Sequence, residues 1–324
     1  MDTMPTFELR RATSVAEAAA WLAVPNARVI AGGTDLVPNL RRGLEQPATL
    51  VDVSGIAGID TLALDSTPRV IGAGVTIARL ASDARIANEY PALAQAAAEV
   101  AAPAHRNAGT VGGNLCLDTR CVFYNQSAWW RAANGYCLKR GGDTCHVAPQ
   151  GKRCHAAFSG DLAPALIVLG ADVDVASARG TRRLSLAALY RDDGAAHLTL
   201  EKDEFVVAIR VPPAPVGGAS AYRKARVRGS FDFPLAGVAM ALTLDGTRIA
   251  SLAVALTGTN SHPLALEGTE ALVGNAVDDA TAATLGKLVA KQVSPMRTTA
   301  MASNYRRQVA SVLAQRLLRE LGGA

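Results

Sequence analysis

The apolar positions change period several times along the chain. Residues 13–22 place Ala, Trp and Leu at helical spacing behind Ser14, with Glu17 three positions on, a capping-box start for a short helix. A strand-like run over 27–31 breaks at Gly32-Gly33, and Thr34 and Asp35, both N-cap types, lead into a helical stretch over 36–44. The pattern predicts further strands at 49–53 and 70–73 and helices at 76–85 and 91–101. Segment 104–115, AHRNAGTVGGNL, reads as a tight loop because its glycines leave the backbone unshielded. From 117 to 158 no period survives, and this stretch reads as an insertion. The globular pattern resumes over 161–175, and the Pro/Gly-rich 212–218 is the candidate linker. Runs 236–244 and 249–257 form a hairpin across Asp245-Gly246. Helices are expected at 263–273, 278–292 and 302–321, the last with Tyr305, Val309, Val312, Leu313, Leu317 and Leu321 on one stripe. No internal repeat is present.

With 324 residues, 49% apolar and 19% charged, the chain is long enough for two or three packed units. Aromatics reach only 5% while alanine is abundant, so the core is expected to use small side chains, as helices packed closely on sheets do. Neither a secretion signal nor a membrane span is evident, and the protein is expected to be soluble and cytoplasmic. The net charge of +5 comes from scattered cations without a nucleic-acid-binding motif, so neither nucleic acid nor membrane is expected as a partner.

Two glycine turns carry candidate chemistry. VIAGGTDL (29–36) and AGTVGGNL (108–115) each precede apolar residues and each supply a hydroxyl, Thr34 or Thr110. A pyrophosphate needs convergent backbone N–H groups, which such turns can offer, although either turn alone is equally served by a sharp bend with no ligand. Neither matches GxGxxG or GxxxxGK[ST], which leaves Rossmann-type NAD binding and P-loop chemistry without support. Asp161 and Lys224, read alone, are a helix cap and a surface charge.

Cys121, Cys137, Cys145 and Cys154 fall within the insertion, and Cys116 belongs to the preceding turn. An odd cysteine count without an export signal argues against disulfides. The residues allow three readings: a four-thiolate iron–sulfur cluster, a zinc site joined by His146 or His155, or unligated buried thiols. The segment holds six cations, Arg120, Arg131, Lys139, Arg140, Lys152 and Arg153, against Asp118 and Asp143, a net of +4. These either offset cluster charge or form a docking surface for an acidic ferredoxin-like protein. Trp129, Trp130 and Tyr136 either shield a cluster from water or simply pack the loop.

The motifs AGGTDL (31–36), TVGGNL (110–115), SGDLAPAL (159–166), YRK (222–224) and FDFPLAGVA (231–239) stand in one order along the chain. In this respect the sequence resembles the FAD-binding medium subunits of the xanthine dehydrogenase and carbon monoxide dehydrogenase family, over nearly its whole length. The resemblance implies an α+β fold: a two-part FAD-binding domain at 1–216, with lobes at about 1–55 and 56–216, and a C-terminal sheet-and-helix (α/β) domain at 217–324. It implies FAD contacts from Val29, Ile30, Ala31, Gly32, Gly33, Thr34, Asp35 and Leu36, from Thr110, Gly112, Gly113 and Asn114, and from Ala101, Asp161 and Lys224.

Family members usually pass directly from the GGNL turn to the DLxPAL segment. One branch, the 4-hydroxybenzoyl-CoA reductases, carries an insertion with a [4Fe-4S] cluster, and the chain looks most like that branch, with Cys121, Cys137, Cys145 and Cys154 as ligands. The resemblance then implies electron transfer among a low-potential donor (ferredoxin), the cluster, FAD and the cofactors of partner subunits. Those partners are a molybdenum-cofactor large subunit and a [2Fe-2S] small subunit, in a dimer of heterotrimers. No catalytic acid–base pair is expected in this chain. The alternatives are an NAD- or oxygen-linked flavin subunit with a structural insert, and a zinc-stabilised binding module without redox activity.

Overall fold

The computed structural model describes residues 4–323. Three sheets follow one another along the chain. The first is small and parallel, with Glu8–Arg11 and Ala27–Ile30 both pairing with Thr49–Asp52 at its centre. Helix Val15–Leu22 crosses between the outer strands, and Ser14 caps it by accepting the Glu17 N–H. The second sheet is antiparallel and five-stranded, in the order Leu62–Ala63, Arg69–Gly72, Phe205–Val211, Asp172–Ser177, Gly180–Ser185. The third has the order Leu264–Ala265, Arg248–Thr257, Ala236–Asp245, Ala219–Ala225, with a hairpin at residues 246–247. The mixed α+β character expected above is the observed one.

Period-two alternation gives the third sheet two apolar faces. Tyr222, Ala239 and Ala255 join the core shared with the first two sheets, through helices Pro91–Glu99 and Leu162–Val168. Val238, Met240, Val254 and Leu256 face the opposite way, under helices Asp279–Gln292 and Ser303–Gly322.

Four expectations need correction. The 104–115 segment is two short helices, Pro103–Ala108 and Val111–Leu115, because Pro103 occupies a first helical turn and the Thr110 hydroxyl accepts the Gly113 N–H. The 263–273 helix is instead the short strand Leu264–Ala265 and a 3-10 turn at Thr269–Leu272. Strands Gly180–Ser185 and Phe205–Val211 were not anticipated, the first polar except for Leu184 and the second apolar except for Arg210, so neither alternates with a clear period. In the last helix the buried line is Arg306, Ala310, Ala314, Leu317 and Leu318. Its Tyr305, Val309, Val312 and Leu313 instead line a surface groove beside Ala225. Burial of Arg306 sets this phase: its guanidinium donates to the carbonyls of Leu235 (3.0 Å), Met296 and Gly258.

Candidate functional site

The two glycine turns meet. Gly32 lies so close to the second turn that a Cβ would stand 1.8 Å from the Ala108 carbonyl oxygen, and a Cβ on Gly109 would stand 3.4 Å from the Thr34 hydroxyl. Gly33 turns with φ +68°, a conformation that favours glycine. The N–H groups of Gly32, Gly33, Thr34 and Asp35 find no acceptor among the described residues. Four unspent donors beside one another, at the start of helix Leu36–Arg41, suit the oxygens of a pyrophosphate. Val29 and Ile30 complete the strand that delivers the turn.

The second turn is built differently. Gly112 donates to the Ala73 carbonyl (2.8 Å), and a Cβ there would meet the Ala73 Cβ at 2.8 Å. Its glycine therefore serves close packing, with its N–H already taken. Asn114 accepts the Leu162 N–H (3.1 Å), and Gly160 packs on the Asn114 carbonyl, so this turn clamps the segment holding Asp161. Gly113, the one exposed residue of helix Val111–Leu115, faces outward.

Asp161, Lys224 and Ala101 also converge. Lys224 donates to Asp161 (2.9 Å) and to the Glu99 carbonyl (3.1 Å), while the Tyr222 hydroxyl donates to the other Asp161 oxygen (2.6 Å). The Lys224 and Asp161 side chains are 1% and 5% exposed, so Lys224 is not a surface charge, and Asp161, although at the N-cap position of Leu162–Val168, makes no side-chain capping bond. Burial raises the Asp161 carboxyl's pKa against the pull of Lys224 and Tyr222. Ala101 has φ +43° and its carbonyl accepts the Phe231 N–H (2.9 Å), and the Phe231 ring lies tilted against His105, 4.6 Å between centroids. Phe231 opens the FDFPLAGVA motif and His105 lies in the 104–115 segment, but no spacing pairs the two.

The insertion is closed at its neck. Arg120 and Ala157 exchange backbone hydrogen bonds at 2.9 and 2.7 Å. Within the loop, Cys121, Cys137, Cys145 and Cys154 line one cavity together with Phe123, Tyr124, Leu138, Lys139, His146 and Val147. Cys116 is not among the lining residues. Backbone N–H groups approach two of the sulfurs, Tyr124 to Cys121 (3.3 Å) and Ala156 to Cys154 (3.4 Å). Burial pushes the Cys154 thiol up to about 11 and raises Cys121 as well. Free, these would be neutral thiols; a coordinated metal takes the proton off.

No three of the described His, Cys, Asp and Glu side chains stand close enough to hold a single ion. A mononuclear zinc site therefore does not fit: His155 is not in the cavity lining, and His146 stacks on Phe123 with its Nε2 against the Tyr136 carbonyl. Four thiols line the shared space, and a polynuclear centre, unlike a single ion, separates its ligands by its own width.

Five of the six insertion cations face inward. Arg120 binds Asp35 (2.8 Å) and Asn39, and Arg131 is buried against the Tyr124 and Gln126 carbonyls. Lys139 binds Asp118 (2.6 Å), Arg140 the Leu44 and Gly43 carbonyls, and Arg153 binds Asp192. Only Lys152 is exposed. The five inward-facing groups do not form a basic docking face: Arg120, Arg140 and Arg153 fasten the loop to the body, and Arg131 and Lys139 bind within it. Trp129 is 76% exposed and does not line the cavity, which removes it as a shield.

Known proteins resemble the chain over nearly its whole length. Residues 5–214 match the FAD-binding domain of molybdopterin dehydrogenases, and residues 220–321 match the CO dehydrogenase flavoprotein C-terminal domain. The FAD-binding subunit of an Escherichia coli aldehyde oxidoreductase is 35% identical, over 83% of this chain and 86% of its own length. The carbon monoxide dehydrogenase medium chain of Afipia carboxidovorans is 28% identical over 96% of this chain and 95% of its own. In structure, reconstituted CO dehydrogenase from Oligotropha carboxidovorans superposes with a TM-score of 0.81 at 26% identity, over 99% of both chains. The chain belongs to the FAD-binding subunits of the molybdenum hydroxylase-type dehydrogenases, and FAD is its cofactor.

Proposed function

We propose that this chain is a two-centre electron-transfer subunit, holding FAD at the paired glycine turns and a [4Fe-4S] cluster on Cys121, Cys137, Cys145 and Cys154. The single observation that carries the second centre is the convergence of all four insertion cysteines on one cavity. FAD supplies the step between one- and two-electron chemistry. The chain's own residues do the rest: the Gly32–Asp35 N–H groups receive the pyrophosphate, and the Lys224–Asp161 pair fixes the segments around Ala101. The partners in this reading are a molybdenum-cofactor large subunit and a [2Fe-2S] small subunit in a dimer of heterotrimers, with a ferredoxin as low-potential donor, in the cytoplasm. The reaction is reductive removal of the phenolic hydroxyl of 4-hydroxybenzoyl-CoA to give benzoyl-CoA. Its support is the cysteine-bearing insertion in an otherwise family-like chain.

The test is anaerobic purification of the complex with flavin, iron, sulfide and zinc counted per chain, followed by turnover assays. The expected result is one flavin and four irons on this subunit, with reduced ferredoxin driving reduction of 4-hydroxybenzoyl-CoA. A subunit with flavin but no iron, coupled to NAD or oxygen, overturns this reading in favour of a structural insert.

A further inference from the structure

We infer that the Lys139 ammonium holds up the reduction potential of the four-cysteine centre, which makes it a positioning residue for electron transfer; this rests on the iron–sulfur reading above. Lys139 is the one Lys, Arg, Asp or Glu among the residues lining the cavity. Its side chain is only 8% exposed. The ammonium is fixed from three sides, by Asp118 (2.6 Å), the Thr119 carbonyl (3.0 Å) and the Thr119 hydroxyl, and it lies over the Tyr124 ring at 4.6 Å from the centroid. Three partners use its three protons, so none remains for a cysteine sulfur. Its influence on the centre is therefore one of charge.

The surrounding charges define the sign of that influence. Asp118 is the nearest anion, bonded to Lys139 and to the Tyr124 hydroxyl (3.2 Å). Arg120 is committed to Asp35, and His197 behind the pair is kept neutral, its pKa lowered to about 4 chiefly by burial. A four-thiolate cluster accepts one electron without a proton, so reduction adds a full negative charge inside a low-dielectric wall. An adjacent cation favours the reduced form and an adjacent anion opposes it. Fixed by its three partners, Lys139 needs no rearrangement when the electron arrives.

The test is an EPR-monitored reductive titration with dithionite, on the anaerobic holo complex, with iron counted in every variant. Lys139→Gln keeps hydrogen-bonding capacity and removes the charge; it should shift the reduced-to-oxidised ratio at fixed potential about tenfold toward oxidised, 59 mV for a one-electron couple. Lys139→Arg should restore the midpoint. Asp118→Asn should move it the other way, and this variant alone carries the test if Lys139→Gln does not retain iron. Full iron with wild-type midpoints in Lys139→Gln, or in Asp118→Asn where only that variant holds iron, overturns the inference alone. A wild-type complex without iron overturns the underlying reading together with it.

Discussion

Gly32 has a stricter requirement than its motif implies. A pyrophosphate excludes a Cβ by needing close approach, but here the Ala108 carbonyl already excludes it. Gly32→Val should therefore separate the two turns and abolish flavin retention, measured as the flavin-to-protein ratio after gel filtration. Normal flavin content in a folded variant would remove this turn from the site. Cys137→Ser and Cys145→Ser should each lose iron while flavin stays bound, because the cavity lies within the insertion; four irons retained in both variants would show a different ligand set. At this scale the sequence was partly legible. Cysteine grouping and the paired turns were readable from spacing, whereas the spent N–H of Gly112 was not, since its acceptor, Ala73, lies in a segment with no marker of its own.

Between elements, two ionic clusters, each centred on a buried carboxylate, do the joining. Lys224 links strand Ala219–Ala225 to the end of helix Pro91–Glu99 and to Asp161 at the start of Leu162–Val168. Lys224→Met leaves Asp161 a buried carboxylate with Tyr222 alone. The expected cost is about 3–5 kcal/mol, read by chemical denaturation, and unchanged stability would show that the pair is expendable. In the second sheet, Asp174 accepts from Arg183 and Arg210 at 2.7 Å each, tying three strands together. Burial raises the Asp174 pKa, but the hydrogen bonds and charges of the two arginines outweigh it and hold the carboxyl below its ordinary value. A group with a depressed folded-state pKa stabilises the fold above its unfolded value, about 3.9 for Asp, and that contribution fades as pH falls below it toward the folded value. Asp174→Asn should flatten this acid limb in urea titrations run at stepped pH; an identical slope in both proteins would assign the acid loss elsewhere. Helices Val15–Leu22, Pro91–Glu99 and Asp279–Gln292 were legible from period, but Pro103–Ala108, Val111–Leu115 and the phase of Ser303–Gly322 were not. An arginine on the buried line turns the helix by about one position, so Ala310, Ala314 and Leu318 are fully buried while Val309 and Leu313 stay at the edge of the core, and the carbonyls gathered around Arg306 account for it.

Across the whole molecule, the sheet-and-helix alternation was visible in the hydrophobic pattern, as were the hairpin and the break in character at 117–158. How the insertion sits was not visible, because its cations were read as offsetting cluster charge or as a docking surface, whereas Arg120, Arg140 and Arg153 bind residues outside it. That difference has a consequence for how such a subunit is assembled. Since the chain enters and leaves the insertion through the adjacent pair Arg120 and Ala157, the loop is a cassette with one point of chain entry and exit, held besides by side-chain bonds to Leu44, Asp192 and Asp193. Replacing residues 121–156 by an Asn-Gly hairpin turn should give a protein that folds and keeps its flavin, and shortening the closed loop is worth roughly 2–3 kcal/mol by chain entropy. The converse graft is more demanding: an insertion-free relative given this segment must also offer a carboxylate like Asp35 for Arg120 and one like Asp192 for Arg153. Grafts lacking both carboxylates are expected to bind less iron than grafts supplied with them, and equal iron in the two would mean that the cassette carries its own architecture.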